Sequence, residues 1–303
     1  MIVDAISCFV PTPEAFVQGQ LTLARMEGYL EHFTPKLIEG KSTAEIEAMC
    51  VADGLRMCPG EQGFLDQLDK TGVDKAVVYN ELYTTSIGVP TSTNDEVARV
   101  VQLNPSRLVG MGGVDPWNEA SIADMDRSVR ELGIKGFVLS PFKQKLLPTD
   151  GRLMRVFAKC QELGVPVLLH TGINWWKQLP YDIGHPRYID AVAAAFPDLT
   201  IVMLHAGWPW VNDAVMISWR HPKVYLDISA HRPKHFLANA SGWESLLQYG
   251  NRMLADKVIF GSTWCLMGTT IGTLIDEVRS LPLKDGVAEK WLGLNAMRAF
   301  NLE

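Results

Sequence analysis

The stretch Val165-Pro-Val-Leu-Leu-His-Thr-Gly-Ile-Asn-Trp-Trp176 is a short apolar run that ends abruptly in His170, Thr171 and Gly172. Valine and leucine side chains in so short a run predict a strand that is buried on both faces. The glycine ends the strand and turns the chain. His170 is therefore expected at the C-terminal end of a buried strand, where a loop begins.

A near copy of this stretch follows, Leu199-Thr-Ile-Val-Met-Leu-His-Ala-Gly-Trp-Pro-Trp210. It again contains an apolar strand, a histidine, a small residue, a glycine and two tryptophans. One histidine at a strand end could be purely structural. Two of them at equivalent strand ends, His170 and His205, indicate that both strands deliver a side chain to one face of one sheet.

The composition predicts a globular protein. The chain has 303 residues, of which 47% are hydrophobic and 20% charged, and a net charge of −6. Such a chain can bury a large core, and without a basic stripe it is not expected to bind nucleic acid. No apolar run approaches the roughly 20 residues that a membrane span needs. Five scattered cysteines without a CxxC motif, and an N-terminus without signal-peptide character, predict a cytoplasmic protein with reduced thiols.

Short buried strands alternate with amphipathic helices along most of the chain. Eight strands are predicted, at residues 2–7, 75–80, 108–115, 134–140, 166–170, 200–205, 224–229 and 257–262. Eight such units in about 300 residues predict an α/β fold, a (β/α)8 TIM barrel that forms a single domain over residues 1–303. An open doubly wound sheet is the alternative. The segment at about residues 9–57 is too long for a simple connection and predicts an insertion after the first strand.

In a TIM barrel the chemistry takes place at the C-terminal ends of the strands. The polar residues and cysteine expected there, besides the two histidines, are Ser7, Cys8, Asn80, Asp115, Ser140, Asp227, Ser229, Ser262 and Thr263. The tryptophans that follow strand ends, which can stack on a flat substrate or pack beneath loops, are Trp175, Trp176, Trp208, Trp210 and Trp264. Candidates for binding a substrate carboxylate are Arg187, His231 and Arg232.

Short motifs spread over nearly the whole chain carry a family resemblance. They are Ile2-Val-Asp-Ala5, Asn94-Asp-Glu-Val-Ala98, Pro105-Ser-Arg107, Glu131-Leu-Gly-Ile-Lys-Gly136, His170-Thr-Gly172, Phe196-Pro-Asp198, His205-Ala-Gly-Trp-Pro-Trp210, Val224-Tyr-Leu-Asp-Ile-Ser229, Phe260-Gly-Ser262 and Asn295-Ala296. Together they resemble the amidohydrolase-related (amidohydrolase 2) family of the amidohydrolase superfamily, in the branch of aminocarboxymuconate semialdehyde decarboxylase and resorcylate-type decarboxylases. The resemblance implies a decarboxylase or hydrolase, a metal ligand at His170, and a metal-binding or acid/base role for His205.

The chain departs from the family pattern at three ligand positions. The resemblance implies a His-x-His pair at the end of the first strand, where this chain has Ile6 and Cys8, and an aspartate where it has Thr263. A zinc ion needs three or four nitrogen, sulfur or oxygen donors. We therefore expect no metal cofactor. The alternatives are a rebuilt zinc site of Cys8, His170 and His205, or a conventional metal held in another way.

Without a metal, two histidines across one pocket could serve as acid and base. We therefore expect an enzyme for a small cyclic or aromatic carboxylated substrate, acting as a decarboxylase, another lyase or a lactone-type hydrolase. His170 and His205 are the predicted catalytic residues. The predicted substrate-binding residues are Cys8, Asn80, Trp176, Trp208, Thr263, Trp264 and Arg232. Two alternatives stay open, a metal-dependent hydrolase with a Cys/His site and a non-catalytic binding pseudoenzyme; the family also suggests a homodimer.

Overall fold

The computed structural model describes residues 1–33 and 35–302. Thr34, inside the predicted insertion, and Glu303, at the end of the predicted domain, lie outside the described residues. In the described part of the chain, eight parallel strands form one sheet in sequence order. They are β1 (Val3–Phe9), β2 (Lys75–Tyr79), β3 (Leu108–Gly113), β4 (Phe137–Leu139), β5 (Val167–His170), β6 (Ile201–Leu204), β7 (Val224–Asp227) and β8 (Val258–Ile259).

The sheet closes on itself through β1. The Ala5 amide donates to the Phe260 carbonyl at 3.0 Å, and the Thr263 amide donates to the Ile6 carbonyl at 2.8 Å. These bonds join β1 to the segment that follows β8. The prediction of a (β/α)8 barrel is therefore confirmed, and the open doubly wound sheet is not formed.

Alternate residues of the strands pack on opposite sides of the barrel wall. Leu168 of β5 and Val202 of β6 belong to an inner hydrophobic cluster, whereas Leu169 and Met203 belong to an outer cluster that packs against the helices. Successive side chains of a strand point to opposite faces. His170, two residues beyond Leu168, therefore points toward the inside at the C-terminal end of its strand.

Helices connect the strands and cover the outside of the barrel. Their bounds are α1 (Pro13–Arg25), α2 (Tyr29–Phe33), α3 (Pro35–Ile38), α4 (Thr43–Met57), α5 (Gly60–Thr71), α6 (Thr84–Ile87), α7 (Asn94–Val101), α8 (Glu119–Ala123), α9 (Met125–Arg130), α10 (Gly151–Leu163), α11 (Arg187–Ala195), α12 (Val211–Arg220), α13 (Glu244–Gly250), α14 (Trp264–Met267), α15 (Ile271–Arg279), α16 (Val287–Glu289) and α17 (Asn295–Ala299), with 3-10 turns at His205–Gly207 and Pro233–His235 and a π turn at Lys290–Leu294. None of the described helices combines the length and the apolar character that crossing a bilayer requires.

Some predicted elements are shorter than expected or divided. The apolar periodicity also predicts helical segments at residues 119–131 and 233–249. In the structure the first is divided into α8 and α9, and the second contains a 3-10 turn before α13. Strand 257–262 is reduced to β8, and its backbone pairing with β1 is interrupted at Ser262 before the Thr263 amide bonds to the Ile6 carbonyl. The Ser262 amide donates to the side chain of Asp4 at 2.8 Å instead of to a neighbouring strand.

The segment after β1 consists mainly of α1 and α4, which pack against each other. Within the insertion, the periodicity predicts a helical segment at residues 20–33, but the structure interrupts it between α1 and α2. Gly28 has φ +99° there, and a Cβ at this position would lie 2.5 Å from the Trp175 carbonyl oxygen. The Lys177 amide donates to the Glu27 carbonyl at 2.8 Å. The segment thus lies against the loop that follows β5.

Candidate active site

His170 and His205 face each other at the C-terminal end of the barrel. Their ring centroids are 4.9 Å apart, and the ring planes meet at 70°. β5 and β6 are adjacent and parallel, which places the ends of the two strands side by side. The ring of Phe142 packs against His170 with centroids 4.5 Å apart. The structure thus brings together the two side chains that the sequence predicts as catalytic.

Hydrogen bonds tie together the loops that follow β5 and β6. The Thr171 hydroxyl donates to the Leu204 carbonyl at 2.6 Å. The Ile173 amide donates to the Trp208 carbonyl at 3.0 Å. The amide of Gly172 donates to the Gly184 carbonyl at 2.8 Å. These bonds hold the backbone on both sides of the histidine pair.

The side chain of His205 is oriented by Ser229. The Nδ1 atom lies 3.2 Å from the Ser229 carbonyl oxygen and 3.0 Å from the Ser229 hydroxyl oxygen. The hydroxyl itself donates to the carboxylate of Asp227. A carbonyl oxygen can only accept a hydrogen bond, so we infer that Nδ1 carries the proton and that Nε2 has the free lone pair. In this tautomer Nε2 can act as a base.

Burial makes both histidines neutral near pH 7. It lowers the pKa of His205 to about 4, although the bond to the Ser229 carbonyl opposes the shift. Burial also lowers the pKa of His170 well below its usual value, and the charges of His205 and Lys143 lower it further. The pKa of Asp227 is raised to about 7 by burial, against the hydrogen bonds that it accepts.

A carboxylate that orients a histidine could come from Asp4, Asp115 or Asp227, and of these three Asp227 contacts the pair. Asp227 accepts the backbone N–H of His205 at 3.2 Å. Asp4 instead accepts the hydroxyl of Ser262 at 2.6 Å. Asp115 accepts the hydroxyl of Thr85 at 2.7 Å.

A buried ion pair lies near the histidines and was missed in the sequence. The ammonium of Lys143 lies 2.5 Å from one carboxylate oxygen of Glu81, and the Ser140 hydroxyl donates to the other. Burial lowers the pKa of Lys143, but the charges of Glu81 and Tyr83 outweigh it and raise the pKa to about 12. Charged residues soon after two predicted strand ends were the signal that could have revealed this pair.

The described residues do not fit the metal site that the family resemblance implies. Among them, no group of three or more His, Cys, Asp or Glu side chains could hold a metal ion. Ile6 is apolar and buried in the inner cluster. The Thr263 hydroxyl accepts the Ala230 amide at 2.7 Å. A hydrogen bond with Cys265, together with burial, raises the pKa of Cys8 well above its usual value, whereas a metal would need the thiolate.

The other predicted substrate-binding residues occupy different surroundings. The Asn80 amide donates to the Ser92 carbonyl at 2.6 Å. The indole N–H groups of Trp176 and Trp264 are buried, and neither has a hydrogen-bond partner among the described residues. The indole N–H of Trp208 lies 3.4 Å from the Ser241 carbonyl oxygen. These residues stay predictions.

The three candidates for binding a substrate carboxylate differ in their availability. The guanidinium of Arg232 forms a two-point contact with Glu277, so it would have to leave this partner to bind a substrate. Arg187 pairs with Asp182 at 2.5 Å and is exposed. His231 packs beside the ring of Trp208, with centroids 5.6 Å apart.

Comparison with known proteins supports one family. The family model described as Amidohydrolase matches residues 65–302. The chain is 23% identical over 302 residues to 2-amino-3-carboxymuconate-6-semialdehyde decarboxylase of Dictyostelium discoideum, covering 88% of this chain and 81% of the relative.

Two solved structures share the fold. A dihydroxybenzoic acid decarboxylase from a Polaromonas species, with bound manganese and the inhibitor 2-nitroresorcinol, is 16% identical with a TM-score of 0.66, over 99% of this chain and 97% of that one. A probable 2-pyrone-4,6-dicarboxylic acid hydrolase from Acinetobacter baumannii, with citric acid bound, is 15% identical with a TM-score of 0.61, over 99% of each chain.

Proposed function

Because the chain belongs to the amidohydrolase family, we propose that it hydrolyses a cyclic ester of a small carboxylated molecule, with His205 as the general base. The similar proteins are decarboxylases and a hydrolase, which supports an enzyme of one of these two classes. Their names also support a small carboxylated substrate. A cytoplasmic location and a homodimer stay predictions.

The single observation that carries the proposal is the bond from Nδ1 of His205 to the Ser229 carbonyl. It leaves Nε2 as a free acceptor, so the imidazole can take a proton from a water molecule that attacks the ester carbonyl. Asp227, which is hydrogen-bonded to Ser229, would stabilise the imidazolium that forms. The carbon–oxygen bond of the ring then breaks, and the leaving oxygen takes the proton that Nε2 of His205 received from the water, which returns His205 to its neutral form. The ring of His170 lies beside it, with centroids 4.9 Å apart.

Decarboxylation is the second candidate, and the similarity to a decarboxylase over 88% of the chain favours it. The same base could take a proton from a ring hydroxyl group. Returning that proton to the ring carbon that bears the carboxylate would release CO2. His205 would thus serve in both reactions, and the products tell them apart.

A panel of carboxylated lactones and hydroxybenzoates tests the proposal. We expect the purified protein to open a lactone to a hydroxy acid without releasing CO2, which mass spectrometry and a CO2 assay measure. Release of CO2 would favour the second candidate, and no turnover of any compound would favour a non-catalytic binding protein. Metal analysis and dialysis against a chelator belong in the same experiment. Loss of activity that returns with zinc or manganese would favour a metal-dependent hydrolase.

The activity is expected to depend on pH through two groups. His205 must be neutral to act as a base, so kcat/KM should fall as the pH drops below about 4, the pKa of His205. Ionised Asp227 stabilises the imidazolium, so kcat/KM should rise as the pH increases through about 7, the pKa of Asp227. A pH profile of kcat/KM measures both changes.

The matched variant for the pH profile is Asp227→Asn, whose amide oxygen can still accept the Ser229 and His205 amides. It should lose the increase near pH 7 and keep the fall at low pH. A wild-type profile that is flat between pH 5 and 9 would contradict the role of Asp227.

A further inference from the structure

A cavity of about 530 Å³, including its open mouth, lies between the end of β1 and the helices that follow it. Most of its walls are apolar, and the side chains that form them include Phe9, Phe16, Leu23, Met57 and Leu266. Such walls suit the apolar or aromatic part of a ligand.

Among the described residues that line this cavity, Lys143 is the one that carries a full charge. Its side chain is 14% exposed and pairs with Glu81. An ammonium has three N–H donors, and the bond to Glu81 uses one of them. The Ser140 hydroxyl holds the other oxygen of Glu81, which keeps the carboxylate in place. The ring of Tyr83 lies 5.1 Å from the ammonium.

The cavity is separate from the histidine pair but close to it. Neither His170 nor His205 lines it. Phe142 connects the two regions, because its ring contacts His170 and also lies 5.9 Å from the ammonium of Lys143. The charge of Lys143 lowers the pKa of both histidines, which agrees with this proximity.

We propose that the cavity is the subsite for the substrate's carboxylate and its apolar or aromatic part, with Lys143 pairing the carboxylate through its remaining N–H donors and Glu81 holding the ammonium in position. That the bound acid is a substrate rests on the proposed function. Charge-assisted hydrogen bonds from a buried ammonium are strong, so a carboxylate is favoured over a neutral amide. The subsite selects monoanionic acids with a flat or apolar body.

Binding of benzoate tests the proposal without requiring turnover. Isothermal titration calorimetry should show that wild-type protein binds benzoate at least about tenfold more tightly than its neutral isostere benzamide. The variant Lys143→Met, made together with Glu81→Gln so that no buried carboxylate is left unpaired, should lose this preference. Lys257→Met is the control, because the Lys257 ammonium also lies over a tyrosine ring, 4.6 Å from the centroid of Tyr225. Equal affinity of wild-type protein for benzoate and benzamide would overturn the proposal.

A second variant fills the cavity from helix α1. Gly19 lines the cavity, and a Cβ built there meets no atom within 4 Å. Gly19→Leu should therefore fold normally and weaken benzoate binding by roughly tenfold or more. Gly63→Leu, on α5, is the matched control and should bind benzoate like the wild type. Unchanged benzoate binding by Gly19→Leu would refute the location.

The variant His205→Asn distinguishes failure of this proposal from failure of the proposed function. It should bind benzoate with wild-type affinity, because His205 does not line the cavity. Retained benzoate binding with no turnover of the lactone panel by the wild type would leave the subsite supported and the proposed function refuted. Turnover of a lactone without selective benzoate binding would refute the subsite alone.

Discussion

Replacing His205 by asparagine is expected to lower both kcat and kcat/KM by on the order of 10²–10⁴-fold, the usual contribution of a general base. The base acts only in the transition state, so both constants should fall together while KM changes little. Asparagine is the suitable replacement because the backbone of His205 has φ 60°, a left-handed conformation that asparagine tolerates better than most residues. Steady-state kinetics on the substrate found in the panel measures the effect.

The control for this prediction is His221→Asn. His221 follows α12 and hydrogen-bonds Asp190 at 2.7 Å, so it belongs to a different part of the structure. Its replacement should leave kcat/KM within about twofold of the wild type, as expected for a residue outside the site. If His205→Asn kept more than half of the wild-type kcat, His205 could not be the base.

Replacing Gly172 by alanine is expected to destabilise the protein by about 3 kcal/mol or more. Gly172 has φ +95°, a region that costs an L-residue energy, and an added Cβ would lie 2.5 Å from the backbone oxygen of Trp208. The atoms nearest to the added Cβ belong to the backbone of Gly207 and Trp208, so no flexible side chain can move aside to make room. The loops after β5 and β6 would therefore separate, and activity should fall with stability. Thermal unfolding monitored by circular dichroism measures the change, with a decrease in Tm of roughly 5 °C or more.

Gly164→Ala is the matched control for backbone strain. Gly164 follows α10 with φ +67°, but a Cβ there meets no atom within 4 Å. This variant bears the conformational cost alone, about 1 kcal/mol. The difference between the two variants isolates the cost of the close approach to Trp208. Equal stability of Gly172→Ala and Gly164→Ala would show that the loops after β5 and β6 can separate without loss of stability, and would contradict the prediction.

Much of the fold could be predicted because the signals are local. Short apolar runs that end in polar residues or glycine identified the strands, and their number predicted the barrel. The position of each strand end was less well predicted, as β8 shows. Regular pairing with β1 is interrupted at Ser262, whose amide donates to the side chain of Asp4, 258 residues away. No local pattern around residue 262 contains that information.

The candidate site was predictable in its two imidazoles and in the presence of Asp227 and Ser229 at a neighbouring strand end. The similarity of the two strand-end motifs placed His170 and His205 together. The bonds that decide what the imidazoles can do were not predictable, since Ser229 comes from a third strand end. The pair of Glu81 and Lys143 depends on residues 62 positions apart. The cavity depends on how α1 packs over the barrel.

The sequence by itself determined the eight strands, the barrel and the adjacent strand ends that carry His170 and His205, because short apolar runs and chain order are properties of local sequence. Only the tertiary structure decided the tautomer of His205, the partner of Lys143 and the shape of the cavity. These depend on which distant side chains meet when the barrel closes, and on the burial that follows. Hydrogen-bond geometry and desolvation act in three dimensions, so the chemistry of the site is determined there.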